Sequence, residues 1–80
     1  MKIKTRDDHV FQGTPLQMVC AMRSLALGRE HLSVPSYVEW VVANALKFER
    51  VALDVAGETD DELAASLVEA MIRAGLTYRV

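Results

Sequence analysis

The chain has a single cysteine, Cys20, so it cannot close an internal disulfide, and nothing in it asks for an oxidising compartment. It also lacks any apolar run near the ~20 residues needed to span a bilayer. The opening Met1-Lys2-Ile3-Lys4 has no apolar stretch behind its lysines, so no secretory signal is expected. Basic residues are not in excess: the formal net charge is −2. That balance works against nucleic-acid binding, which draws its affinity from cations that displace counterions from phosphate. Three further patterns are missing: a glycine-rich phosphate loop, a paired-cysteine metal motif and a Ser/His/Asp spacing. From these absences we expect a protein that is not an enzyme and carries neither metal nor cofactor.

Eighty residues with 51% apolar and 25% charged side chains predict one globular domain over 1–80. The charge is unevenly spread. Residues 1–50 carry seven basic and five acidic side chains, whereas 51–80 carry two basic and six acidic. An acidic final third repels phosphate and suits a basic protein surface.

Local patterns predict the order β-β-α-α-β-α-β. Lys2–Thr5 alternates polar and apolar residues as a half-buried strand does. Arg6-Asp7-Asp8-His9 supplies turn chemistry, and Val10-Phe11-Gln12 reads as the returning strand. Thr14 and Gln17 have capping-box spacing around Pro15, predicting a first helix from Pro15 to about Leu27, stopped by Gly28. A second helix starts at Ser33 or Ser36, each a competent cap, and runs to about Phe48. Val51-Ala52-Leu53-Asp54-Val55 alternates cleanly as a strand with its odd residues on one face. Thr59 and Glu62 form a second capping box, opening a helix to Ala74. Gly75 ends that helix, with Leu76 folding back on Met71, and Thr77–Val80 closes as a strand. The class is α+β, with three helices packed on a small mixed sheet. If the last two strands are parallel, their crossover is right-handed.

Several side chains are candidates for function. On a helical wheel, Val34, Tyr37, Val38, Val41, Val42, Ala45 and Phe48 form the apolar face of the second helix. Trp40 falls on the opposite side, between Lys47 and Asn44. It is therefore either a binding anchor or a residue covered by a second layer. The run Asp60-Asp61-Glu62, with Asp54 and Glu58 near it, either docks on a basic partner or complements the helix dipole, and both roles are compatible. Asp7-Asp8-His9 lacks convergent metal ligands and reads as a solvated loop tip. Cys20 with His31 has no orienting third group and lies among Met18, Val19, Ala21 and Met22, so it reads as a structural thiol. The face formed by Met18, Val19, Met22, Leu25 and Ala26 reads as core, or alternatively as a dimer face. Glu69 and Arg73, four apart, are expected to pair on the third helix.

The strings K-I-K-T-R-D-D-H-V-F-Q-G-T-P-L-Q-M-V, Y-V-E-W and E-T-D-D-E-L-A-A-S-L-V together resemble small proteins of bacteria and their phages. Among that group are anti-CRISPR inhibitors of type I-C systems. The resemblance implies a stoichiometric inhibitor in the host cytoplasm that binds the Cascade surveillance complex and blocks its engagement of target DNA. It carries no residue roles. The expected partner-binding residues, Trp40, Lys47, Asp54, Glu58, Asp60, Asp61 and Glu62, rest on the wheel and charge arguments alone. Two other functions fit the residues. One is a small DNA-binding regulator touching phosphates through Lys2, Lys4, Arg6, Lys47 and Arg50. The other is a homodimeric accessory or scaffold protein.

Overall fold

A computed structural model describes all 80 residues. Strands β1 (Lys2–Thr5) and β2 (Val10–Gln12) form a hairpin. Helices α1 (Pro15–Leu25) and α2 (Val34–Asn44) follow, α2 running directly into a π turn over Ala45–Glu49. Helix α3 (Asp60–Arg73) and strand β3 (Thr77–Arg79) complete the chain. The sheet order is β2-β1-β3, and both pairings are antiparallel. The α+β class and the packing of three helices on a small sheet are as the sequence predicts.

Local chemistry places the helix ends. The Thr14 hydroxyl accepts from the Gln17 N–H at 3.1 Å, and the Thr14 N–H donates to Gln17 Oε1 at 2.9 Å. Ser33, not Ser36, caps α2 through the Ser36 N–H, which leaves Pro35 in the first turn. At the end of α3, Gly75 takes a φ of +78°. The Leu76 N–H reaches the Met71 carbonyl at 2.9 Å, closing a Schellman ending. Helix α1 stops two residues before the expected Leu27. The Ala26 N–H turns to the nearer Arg23 carbonyl, and Arg29 then bonds Ala26, so a tight turn replaces the last helical turn.

Ile3, Met18, Val19, Leu67 and Val68 are the fully buried centre of the core. Ile3 sits opposite Phe11 on β2 and Arg79 on β3, so all three side chains lie on the sheet's helix-facing side. That placement lets Arg79 reach Glu69 on α3 at 2.9 Å. The expected Glu69–Arg73 pair is therefore replaced by one between α3 and β3.

Val51–Val55 is the largest departure from the sequence reading. The segment joins no strand, so the sheet is antiparallel throughout and not mixed. β2 and β3 take both sides of β1, and the segment pairs with neither of their outer edges. With Val51–Val55 outside the sheet, the expected β-α-β crossover into β3 does not arise. The alternation still describes burial correctly. Leu53 is 7% exposed and Val51 and Val55 half-buried, while Ala52 and Asp54 face solvent. No helix is long and apolar enough to cross a membrane.

Candidate partner-binding surfaces

The predicted acidic residues come together around the start of α3. Thr59 caps the helix, and the Glu62 carboxylate turns back to accept from the N–H groups of Glu58 at 3.0 Å and Thr59 at 3.1 Å. These backbone bonds, Glu58 first and Thr59 next, hold the Glu62 carboxyl below its ordinary value. A depressed folded pKa gives stability that is present above the unfolded value and lost as pH falls through the folded one. Glu62→Gln should therefore lower the denaturation midpoint at neutral pH. The gap to the natural chain should close as pH drops through and below 4.5, the ordinary carboxyl value. Denaturant titrations across that range check this, and a gap constant with pH would contradict it.

Glu62 is thus committed to the cap, whereas Asp54, Glu58, Asp60 and Asp61 are exposed. None of these four has a salt bridge, although Arg73 lines the same shallow concavity as Asp54. Elsewhere Glu30 and Glu39 also lack a salt bridge, but the other carboxylates have partners. Asp8 meets Lys4 at 3.2 Å, Asp7 meets His9 at 2.9 Å and Glu49 meets Arg6 at 3.5 Å. The 54–61 stretch therefore presents negative charge without internal compensation.

Trp40 does not share this surface. Its ring stacks on Tyr37 at 5.8 Å, and the Arg29 guanidinium lies over it at 5.2 Å. The α1–α2 connection folds across α2, tied by Arg23 Nη1 donating to the Leu32 carbonyl at 2.9 Å. A wheel drawn for α2 alone cannot show that cover. The result is a half-buried Trp40, the covered one of the two alternatives the wheel leaves open. Burial also pushes the Tyr37 hydroxyl above its ordinary value.

The apolar side chains that do reach solvent after α2 are Phe48 at 69% exposure and Leu46 at 59%. Phe48 belongs to the buried face on an ideal wheel. In the π turn each hydrogen-bonded ring holds one residue more than in an α-helix, so later side chains rotate out of register. Arg50 ends the turn in the left-handed region at φ +56°, with its N–H on the Ala45 carbonyl. Lys47, the other predicted residue here, lies 5.3 Å over the Phe48 ring. No periodicity in the sequence marks the π turn, which is why Leu46 and Phe48 escaped the sequence reading.

Two grooves flank α2. One, of about 600 Å³, is lined by Met22, Tyr37, Trp40, Val41 and Phe48, with Arg6 and Glu49 at its rim. The other, of about 470 Å³, is an apolar trough between α2 and the 53–57 segment, lined by Val38, Val42, Leu46, Leu53, Val55 and Leu63. Gly57 lies at the trough's margin, one residue before Glu58. The acidic stretch and the trough are thus adjacent, whereas the Trp40 groove opens on other residues of α2.

The remaining candidates resolve into local chemistry. The Thr5 hydroxyl donates to the Asp7 carboxylate, and this bond is the main reason the Asp7 carboxyl sits below its ordinary value. His9 Nδ1 lies 2.9 Å from the same carboxylate, so the hairpin tip is a self-contained turn. Cys20 is a half-buried free thiol. Among the cations expected to touch phosphate, Lys4 and Arg6 are held by Asp8 and Glu49. No three His, Cys, Asp or Glu side chains are grouped as metal ligands. Comparison with family models, curated proteins and solved structures returns no match for this chain.

Proposed function

We propose that the protein works by binding a protein partner, with the acidic stretch 54–61 set against a basic surface and the neighbouring trough taking an apolar side chain. The carrying observation is that Asp54, Glu58, Asp60 and Asp61 cluster in one stretch with no salt bridge in their own chain, while Asp8, Glu49 and Glu69 each pair with a Lys or Arg and the unpaired Glu30 and Glu39 stand apart in sequence. Charge left uncompensated at one end speeds encounter with a basic patch and selects the partner's sign. Following the resemblance in the sequence, the partner is the type I-C Cascade complex. There the acidic end would occupy a basic DNA-handling surface and act as a stoichiometric inhibitor.

The test is a pull-down with purified type I-C Cascade followed by a target-DNA binding assay. We expect a complex and loss of DNA engagement. The double variant Asp60→Lys/Asp61→Lys should weaken binding by about 100-fold, since each exposed charge reversal removes one attraction and adds one repulsion. Circular dichroism and thermal melts of the variant separate lost binding from lost folding. No complex with the natural chain, together with unimpeded DNA binding, rules the reading out for that system.

A further inference from the structure

Helix α2 carries one charged side chain, Glu39, in its eleven residues. A surface helix ordinarily turns a charged face to water. Here Val34, Tyr37 and Val38 are buried, while Pro35, Glu39 and Ala43 are exposed, with the exposed Leu46 just beyond in the π turn. Those four residues follow one another at steps of three or four, so they form one stripe along the helix. The stripe is one wall of the apolar trough, and Leu53, Val55 and Leu63 line it from the other side.

We infer that this trough receives one amphipathic helix of the protein partner, its apolar side chains in the trough and lysine or arginine on its flanks. The inference rests on the proposed function and narrows it, from a partner with a basic surface to one that presents a basic helix. Shape favours a helix. A row of side chains at steps of three and four is the ridge against which a second helix packs, at an axial distance of about 8–10 Å. Ala43 is small enough to allow the close end of that range. A docked strand draws its affinity from main-chain bonds, and the main-chain groups of α2 are spent within the helix.

Charge sets the sign of the flanks. Glu39 is the one charged residue lining the trough, and it has no salt bridge. Gly57, at the margin, leads into the exposed and equally unpaired Glu58. No cation lines the trough, and Lys47, which follows Leu46, lies over the Phe48 ring. An acidic helix laid here would meet like charge, whereas a basic one finds carboxylates that nothing else in the chain neutralises.

Three fluorescent peptides of about 14 residues, roughly four helical turns, are the probes. One sets leucine at helical period among lysines. The second has the same composition with leucine and lysine alternating, and the third repeats the first with glutamate for lysine. Anisotropy titrations should show the first binding saturably and at least about 10-fold more tightly than the others. Ala43→Arg puts a long cation into the stripe and should weaken that binding about 10-fold, and Glu39→Lys about 5-fold. Both sites are exposed, so circular dichroism of the variants should match the natural chain. Equal binding of the alternating peptide, no binding of any peptide, or full affinity in Ala43→Arg overturns the inference. The Cascade pull-down separates it from the reading it rests on. If Ala43→Arg still captures the complex and Asp60→Lys/Asp61→Lys does not, the acidic end binds the partner and the trough takes no helix.

Discussion

Leu67→Ala should bring the protein to the verge of unfolding. Leu67 is 0% exposed, on the face of α3 that also buries Ala64, Val68 and Met71. Removing its side chain loses the transfer free energy and leaves a cavity, together about 2–5 kcal/mol. A chain of this length has roughly 4–12 kcal/mol in all, at the usual stability per residue. With a urea slope of about 1–1.5 kcal/mol/M for so small a domain, the midpoint should fall by about 2–3 M. Small domains have no second core to fall back on, so the loss should appear as one cooperative shift. A fall under about 0.5 M would mean that the site collapses around the missing atoms and that the core is not centred on α3.

The second large effect is expected at Gly57, where the 51–57 segment meets the acidic start of α3. A Cβ there would lie 2.8 Å from Glu62 Cβ, 2.8 Å from the Leu63 nitrogen and 2.9 Å from the Glu62 carbonyl carbon. Two of these atoms are helix backbone, which cannot swing aside as a side chain can. Gly57→Ala should cost about 1–3 kcal/mol as the segment is pushed off the first turn of α3. The displacement has a second readout. The bond from the Glu58 N–H to the Glu62 carboxylate would lengthen, so the Glu62 pKa should move up towards its ordinary value. A Gly57→Ala protein with natural stability and an unchanged Glu62 titration would show that the close approach is not what seats this segment.

Features legible in the sequence are those decided within a few residues. Thr14 with Gln17, Thr59 with Glu62, and Gly75 with the Leu76 return all form as their spacing predicts. In each case donor and acceptor are neighbours along the chain, and no distant element competes for them. Features that escaped depend on what arrives from elsewhere. Val51–Val55 reads as a strand because its residue types alternate, but a ladder needs a neighbour, and the segment pairs with none of the three strands. Glu69 leaves Arg73 for Arg79 because β3 passes over α3 with Arg79 on the inward side. Trp40 takes the covered one of its two expected roles, whereas Phe48 leaves the expected apolar face, for two separate reasons. The α1–α2 connection covers Trp40, and the π turn rotates Phe48 into solvent.

The same distinction holds for the candidate surface. Charge asymmetry in the sequence locates the acidic residues, and the fold gathers them beside an apolar trough that no periodicity announced. Of the seven predicted residues, Asp54, Glu58, Asp60 and Asp61 remain free to meet a partner. Glu62 is taken by the cap, Trp40 opens on a different groove, and Lys47 lies over Phe48 in the π turn.

Titration calorimetry of the chain into purified Cascade at low and high salt tests the binding account most directly. Saturable one-to-one binding per site is predicted, with affinity falling as salt screens the 54–61 carboxylates and Asp60→Lys/Asp61→Lys titrating almost without heat. Affinity unchanged by salt, and retained by the charge-reversed chain, would show that the acidic end of α3 is not where the partner sits.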